Sequence, residues 1–288
     1  MTDAVEFEIV RVPSGARSLR SRKFGETFHP VVGPMAEAAG LHVRQQRVIE
    51  RARRAEGTFV VWDVGLGAAA NAIAVIDALE EQPISGIRIE LHSFDLNDRA
   101  LRFAMDHGHE LGYLDAHADA VVELLESRQT TGSNYQWNYH EGDFRSMLGA
   151  APPPDAILYD PYSPAANPEM WALEHFTRLR SALAAERPCL LTNYTRSTAV
   201  RVTLLLAGFF VGRGFATGEK DETTVAATTL ELLDTPLGND WLERVRRSTN
   251  SAPLRAGIEA RDRIAPEDWA RLTAHPQFVG RKPEGSAE

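Results

Sequence analysis

Thr58-Phe59-Val60-Val61-Trp62-Asp63-Val64 is a β-branched and aromatic run, closed by Gly65-Leu66-Gly67 and followed by the small residues Ala68-Ala69-Ala70. Such a run reads as a buried strand, and the helical stretch at 68–81 completes a strand–turn–helix unit. The glycines let the backbone turn tightly and approach a ligand closely, and the start of the helix offers free N–H groups. With Ala70 at the third small position, the turn also fits a dinucleotide-binding fingerprint. An ordinary strand-to-helix turn fits it equally well, so the loop by itself decides nothing.

Outward from this unit, short β-rich runs alternate with longer helical stretches. Strands are expected at 58–64, 88–95, 136–140, 156–160 and 188–194, with helices at 68–81, 97–107, 118–127, 168–185 and 197–206. Alternation of this kind predicts a parallel sheet covered on both faces. Two further β-rich runs at 209–217 and 223–233 are joined too closely for a crossover, which predicts an antiparallel end to the sheet. Upstream, 7–12 reads as a strand, 15–34 as an irregular or β segment, and 35–55 as one long helix. Three regions are expected: an N-terminal extension (1–57), a core domain (58–233), and short helices and loops (234–288) with a frayed end near 284–288.

Acids close successive strands: Asp63, then Asp95, then Asp143 within Glu141-Gly142-Asp143-Phe144, then Asp160. Ligands of open α/β sheets bind beyond the carboxyl ends of the strands, so all four acids are expected around one crevice. Asp95 suits a pair of ribose hydroxyls, Asp143 an adenine amino group, and Phe144 the face of the ring. Together with Asp63, Gly65, Gly67 and Asp160 they form the candidate cofactor site. Each acid taken singly reads better as a solvated loop residue or helix cap.

After the fourth strand comes Asp160-Pro161-Tyr162-Ser163-Pro164-Ala165-Ala166-Asn167-Pro168-Glu169-Met170-Trp171. Pro161 and Pro164 restrict the backbone and hold Asp160 and Tyr162 with little freedom. A carboxylate beside an aromatic ring suits an amine, accepting its N–H bonds while the ring packs against the base. Asp160, Pro161 and Tyr162 are therefore the candidate catalytic residues, and Trp171 is expected near the reacting group. The plainer reading makes Asn167 a helix cap and Trp171 part of the core.

On these residues the chain resembles the methyltransferase domain of the bifunctional enzyme that makes 5-methylaminomethyl-2-thiouridine in tRNA, together with that family's free-standing relatives. The family pattern Asp-Gly-Phe-Ser/Ala-Pro-x-x-Asn-Pro-Glu/Asp-Met-Trp is matched at most positions by 160–171. The family's glycine loop is echoed by 63–71, its second acid by Asp95, its Gly-Asp by Gly142-Asp143, and its upstream aromatic–His pair, Gly and Glu by Phe24-Gly25-Glu26-Thr27-Phe28-His29 followed by Gly33 and Glu37. The resemblance spans about residues 15–233. It implies an α/β, Rossmann-like class I methyltransferase fold: a seven-stranded, mostly parallel sheet with an antiparallel last strand, plus an N-terminal β/helix extension. It also implies S-adenosylmethionine as cofactor and methyl transfer to the 5-aminomethyl nitrogen of a wobble uridine. Phe28, His29 and Glu37 fall on the substrate side. Pro161-Tyr162 stands where the family has Gly-Phe, and Lys220 in Gly218-Glu219-Lys220-Asp221-Glu222 is what corresponds to a basic Gly-Arg-Lys-Arg stretch. No sequence like the fused flavin-dependent oxidase domain is recognised, so no FAD is expected.

The formal charge of −9 argues against indiscriminate binding of polyanions, so any tRNA contact must be a local patch. Candidates are Arg44, Arg47, Arg51 and Arg54 along one face of the 35–55 helix, Arg17, Arg20, Arg22 and Lys23 before it, and Arg244, Arg246 and Arg247. A charged stripe is more often simply a solvated face. His29, His42, His107 and His109 show no metal-ligand spacing with Cys or carboxylates, so no metal is expected. The lone Cys189 reads as a core thiol. With no apolar run long enough for a bilayer, the cytoplasm is the expected compartment and no membrane partner is expected. The residues remain compatible with methylation of a different amine, on a small molecule or a protein, and with a non-catalytic adenosyl-binding protein.

Overall fold

The structure is a computed structural model and describes residues 6–218, 220–257 and 262–279; the expected frayed end at 284–288 lies outside them. Strands β1 (Phe7–Arg11), β2 (Arg17–Ser21) and β3 (Glu26–Thr27) form a small antiparallel sheet. Strands β4 (Thr58–Val64), β5 (Arg88–Asp95), β6 (Gln129–Thr131), β7 (Tyr135–Glu141), β8 (Ala156–Tyr159), β9 (Leu190–Asn193), β10 (Phe210–Gly214) and β11 (Thr223–Ala227) form the main sheet, in the order β10-β11-β9-β8-β4-β5-β7-β6. From β9 to β7 the pairing is parallel, and β11 is inserted antiparallel between β9 and β10.

The expected α/β sheet with an antiparallel final strand is therefore present, with eight strands in place of seven. The additional strand is β6, which folds back antiparallel on β7 through a tight turn at 132–134. Its sequence, Gln129-Thr130-Thr131, carries no apolar alternation, and that is why the pattern reading passed over it.

The chain leaves β4 toward β5 and β7, then returns across to β8 and β9. Strand order thus reverses between β4 and β8, and in open α/β sheets it is beyond the carboxyl ends of the strands at such a reversal that ligands bind. Pairing registers Asp63 with Ser93 and with Leu158. Because side chains alternate along a strand, Asp63, Asp95 and Asp160 share one face. On that face Val61, Leu91, Trp137 and Leu158 pack beneath the helix Ala70–Glu81. On the other, Trp62, Phe94, Ile157 and Tyr159 pack against Phe176 of the helix Leu173–Ala182 and Val200 of the helix Thr198–Leu206. The expected C-terminal helices are Asn239–Arg247 and Pro266–Thr273.

One expected element is replaced. Residues 35–55 are not a single helix: Pro34–Glu37 runs into a π-helix at Ala38–Arg44, Arg47 takes a left-handed φ of 50°, and a new helix covers Val48–Ala52. The wide turn carries polar groups inward. Gln46 Nε2 donates to Ile157 O and Thr192 Oγ1, each at 2.8 Å, and His42 Nδ1 lies 2.8 Å from the same hydroxyl. Apolar spacing across 41–55 imitates a regular helix because both pieces bury the same side.

A buried cation ties the helix Thr198–Leu206 to β11. Arg201, 0% exposed, donates to Glu222 Oε1 at 2.7 Å, to Thr223 O at 2.7 Å and to Thr224 Oγ1 at 3.0 Å. Arg201→Met should lower unfolding free energy by about 3 kcal/mol, because breaking a buried pair leaves its partners uncompensated. Denaturant titration checks this; a loss under about 1 kcal/mol would mean that solvent reaches these groups.

Candidate active site

The turn after β4 wraps around the end of β5. Gly65 N and Leu66 N both donate to Phe94 O, at 2.9 and 3.2 Å, and Gly67 N donates to Asp95 Oδ2 at 2.9 Å. Leu96 N donates to Asp95 Oδ1 at 2.7 Å. An ionised carboxylate offers about four acceptor positions, so Asp95 retains capacity for two more donors. Gly65 and Gly67 have φ of 96° and 52°. A β-carbon on Gly65 would lie 2.6 Å from Asp160 O, so the glycine turn and the proline-stiffened turn share one wall.

Polar groups without partners gather under that wall. Asp63 is fully buried; its Oδ2 accepts from Ser93 Oγ at 2.7 Å, and its Oδ1 has no partner. Asn71 Nδ2 donates to Asp160 Oδ2 at 3.0 Å, while its own Oδ1 has none. His29, in a left-handed conformation with φ 48°, places Nε2 3.7 Å from Asp160 Oδ2. Burial, the largest cause in each case, raises the carboxyls of Asp63 to about 7, Asp95 to about 6 and Asp160 to about 8. Asp95 and Asp160 keep some solvent-facing surface, so they are incompletely enclosed, unlike Asp63. Burial also lowers His29 to about 4, which leaves a neutral imidazole near neutral pH. Glu37 is raised by burial and partly restored by the charge of Lys220.

The loop from Asp160 is held on every side. Trp171 Nε1 donates to Tyr162 O at 2.8 Å, and Tyr194 Oη donates to Pro161 O at 3.3 Å. From the N-terminal sheet, Glu26 accepts from Ser163 N at 3.0 Å and from Ser163 Oγ. The Tyr162 ring lies 4.3 Å from Phe24 and edge-on to Phe28 at 5.5 Å, centroid to centroid. Phe28 also covers Gly67, where a β-carbon would approach its ring to 3.0 Å. Lys220 Nζ donates to Tyr194 O at 3.0 Å and sits 4.8 Å from that ring's centre. The small sheet is thus a roof of aromatic side chains over the crevice.

Asp63, Gly65, Gly67, Asp95, Asp160, Pro161, Tyr162, Phe28, His29, Glu37 and Lys220 come together. Several expected residues do not. Asp143 sits near Asp95 by its backbone, but its carboxylate is taken by the Arg145 guanidinium at 2.7–3.1 Å, which holds it below the usual carboxylate range. Phe144 turns away from the crevice into the core, against Trp62 and Phe94. Trp171 is fully buried and positions the loop from behind. Arg51 donates to Asp155 O at 2.7 Å and stacks on Phe59, at the opposite end of the strands. Arg47 pairs with Asp234 at 2.9 Å, and Arg44 is exposed, so no continuous basic stripe forms.

Asn71, Ser93, Glu26 and Tyr194 were not expected in the site. Asn71 carried a signal as the last residue of the glycine-loop echo, and Glu26 as part of the upstream segment Phe24–His29 that resembles the family; Ser93 and Tyr194 carried none. Away from the crevice, farther along the helix Ala70–Glu81, Asp77, Glu80 and His117 place candidate metal-ligand atoms within 4.8 Å of one another, and His117 is already bonded to Asp77 at 2.7 Å.

The sequence profile of the S-adenosyl-L-methionine-dependent methyltransferase family matches residues 113–229. The tRNA 5-methylaminomethyl-2-thiouridine biosynthesis bifunctional protein MnmC of Methylibium petroleiphilum is 28% identical over 249 residues, covering 82% of this chain and 37% of that protein. The protein of the same name from Cupriavidus necator is 27% identical over 279 residues, covering 93% and 42%. The chain spans roughly two fifths of the length of these curated relatives. In fold it is similar to the crystal structure of MNMC2 from Aquifex aeolicus, with a TM-score of 0.68 and 22% identity over 94% of this chain and 85% of that one.

Proposed function

We propose that this chain, an S-adenosylmethionine-dependent methyltransferase similar to MnmC, methylates the 5-aminomethyl nitrogen of a wobble uridine in tRNA. The observation that carries the reading is the shared wall: the glycine turn that would hold the cofactor lies against the Asp160–Pro161 peptide, which would hold the acceptor. The orphaned Oδ1 atoms of Asp63 and Asn71, and three carboxyls raised by burial, fit a ligand that carries both an ammonium and a sulfonium charge.

The cofactor, when bound, supplies a methyl group already activated as an electrophile on sulfur. The chain's own contribution is to bind, orient and exclude water. Gly65 and Gly67 let the backbone come close, and Asp95 has free acceptor positions for the ribose hydroxyls. Asp160 would accept N–H bonds from the amine and orient its lone pair. The Tyr162, Phe24 and Phe28 rings close the crevice to water and offer flat apolar surface to a base. A neutral His29 beside Asp160 adds no competing positive charge.

Incubating aminomethylated, unmodified and fully modified tRNA with labelled cofactor tests the proposal. Label should enter only the aminomethylated tRNA, and label confined to protein or to small amines would reject it.

The acid-lined crevice sets a pH dependence. At pH 6, Asp63 holds a proton that a cationic ligand must displace; at pH 8 it is largely ionised, while Asp160, raised to about 8, is about half ionised. Cofactor affinity should therefore rise roughly tenfold from pH 6 to 8, with proton release at the lower pH. It should level off above about 8, where the cofactor's own α-amino group, with a pKa of about 7.7–8.0, loses its charge. Calorimetry in buffers of differing ionisation enthalpy reads both quantities, and affinity that is flat or falling over this interval contradicts the assignment. In the unliganded protein, the same raised carboxyls stabilise the fold at acid pH, an effect lost as pH rises through 6 to 8.

A further inference from the structure

Beside the crevice, on the far side of the Tyr194 ring, lies a second hollow of about 410 Å³. Lys220, Arg196 and Arg244 line it together with hydroxyl and amide groups of Ser197, Ser248 and Asn250, and among the described residues no carboxylate lines it. In a chain of net charge −9, three cations facing one hollow with no acid among its described lining residues is a local inversion of the overall balance.

Lys220 is held by the Tyr194 carbonyl and ring, whereas the two arginines are only loosely engaged. Arg196 reaches Asp221 at 3.8 Å, and that aspartate side chain is 98% exposed. Arg244 reaches Glu222 at 3.8 Å, but Glu222 is held more closely by Arg201 at 2.7 Å and is also approached by Arg213 at 3.5 Å. Such long, solvent-facing pairs contribute little and separate readily for a stronger anion. Arg244 and Arg247 also line an adjoining hollow of about 460 Å³, but there Asp240 and Glu243 balance their charge, so the acid-poor surface is confined to the first hollow.

Position connects this hollow to the reaction. Tyr194 forms its wall and donates through its hydroxyl to Pro161 O, and Lys220 Nζ holds the Tyr194 carbonyl at 3.0 Å. A group in the hollow and an amine at Asp160 would therefore be separated by one tyrosine ring. Building on the tRNA reading above, we infer that the hollow lined by Arg196, Lys220 and Arg244 binds a backbone phosphate of the acceptor RNA next to the nucleotide being methylated. Phosphodiester oxygens match guanidinium forks, and the two arginines come from separate parts of the chain, so one anion would bridge them.

The test uses the full chain with Arg196→Glu, Arg244→Glu and the double variant, on aminomethylated tRNA at several salt concentrations. Each single variant should raise KM for tRNA about tenfold, keep kcat within twofold, and reduce the slope of log(kcat/KM) against log salt by about 0.7–0.9. Cofactor Kd by calorimetry should stay within twofold, which separates a lost RNA contact from misfolding. Inorganic phosphate at constant ionic strength should leave KM for tRNA unchanged, since one free anion lacks the remaining contacts of the polymer. Unchanged KM and salt slope in the double variant, while the wild-type chain methylates tRNA, overturns the phosphate site alone. Inorganic phosphate that binds in an arginine-dependent manner, with tRNA KM unmoved by the variants, overturns it in favour of a free-anion site. A wild-type chain that binds cofactor yet methylates no tRNA overturns both this inference and the reading beneath it.

Discussion

Asp160→Asn should lower kcat for methyl transfer by about 10²–10³-fold while leaving cofactor binding within a few-fold of wild type. The carboxylate is held by Asn71 at 3.0 Å and faces His29 at 3.7 Å, so its direction is set before the acceptor arrives. An amine attacking a sulfonium gains positive charge, and a pre-oriented carboxylate stabilises that charge in a site with little water; removing one such group costs about 10²–10³ in rate. Asparagine keeps one acceptor oxygen and nearly the same volume, so the loss reports charge and not a cavity. The pH profile supplies a second reading. In the wild type, kcat should rise as Asp160 ionises near 8; the variant should lose that component and keep any due to the amine. A variant within threefold of wild type, with an unchanged profile, would remove Asp160 from the chemistry and leave its backbone carbonyl as its contribution to the site.

How far the sequence could foretell this arrangement depends on the range of the forces involved. Asp63, Asp95 and Asp160 were legible because each ends an apolar run, and a parallel sheet with one strand reversal brings such ends together. Asp143 looked equivalent by the same rule. What overrode the rule was local: Arg145, two residues on, closes a chelate on the carboxylate and Asp143 caps the short turn at Phe144–Ser146. The nearby Asp-Phe-Arg spacing is itself a readable warning, because a short-range ion pair competes with any ligand. Trp171 followed its plainer reading: it is core, though its indole N–H still fixes Tyr162 from behind.

The contacts that complete the site were beyond such reading because they join distant residues. Glu26 reaches Ser163 across 137 positions, and Gln46 reaches Thr192 across 146. Nothing in either local pattern names its partner. The π-helix at Ala38–Arg44 was hidden for another reason. Its apolar residues keep nearly helical spacing, and it is anchored by what it meets on the sheet: His42 bonds the Thr192 hydroxyl, and Gln46, just beyond its end, donates to the same hydroxyl and to the Ile157 carbonyl. The basic stripe failed with it: once the helix breaks at Arg47, Arg51 is carried to the amino ends of β4 and β8, and its guanidinium is spent on carbonyls there.

Gly65→Ala should be far more damaging than Gly67→Ala, although both glycines belong to the same turn and both have positive φ. At Gly65 the new methyl group would stand 2.6 Å from Asp160 O, 3.0 Å from its carbonyl carbon and 3.2 Å from Pro161 N. These are backbone atoms of a loop braced by Trp171, Tyr194 and Glu26, so neither side yields without moving the acceptor end of the site. At Gly67 the obstacle is the edge of the Phe28 ring at 3.0 Å, which can tilt by a few tenths of an ångström. Adding about 1–3 kcal/mol of left-handed strain to the unavoidable displacement, Gly65→Ala should weaken cofactor binding at least thirtyfold, or about 2 kcal/mol, and lower kcat as well. Gly67→Ala should weaken binding less than tenfold and keep kcat within about threefold, since the Asp160 loop is undisturbed. Calorimetry with S-adenosylmethionine and single-turnover rates on both variants measure the contrast. Equal losses would mean that strain in the turn matters and the shared wall does not; a larger loss at Gly67 would place the reacting groups beneath Phe28 instead of beside Asp160.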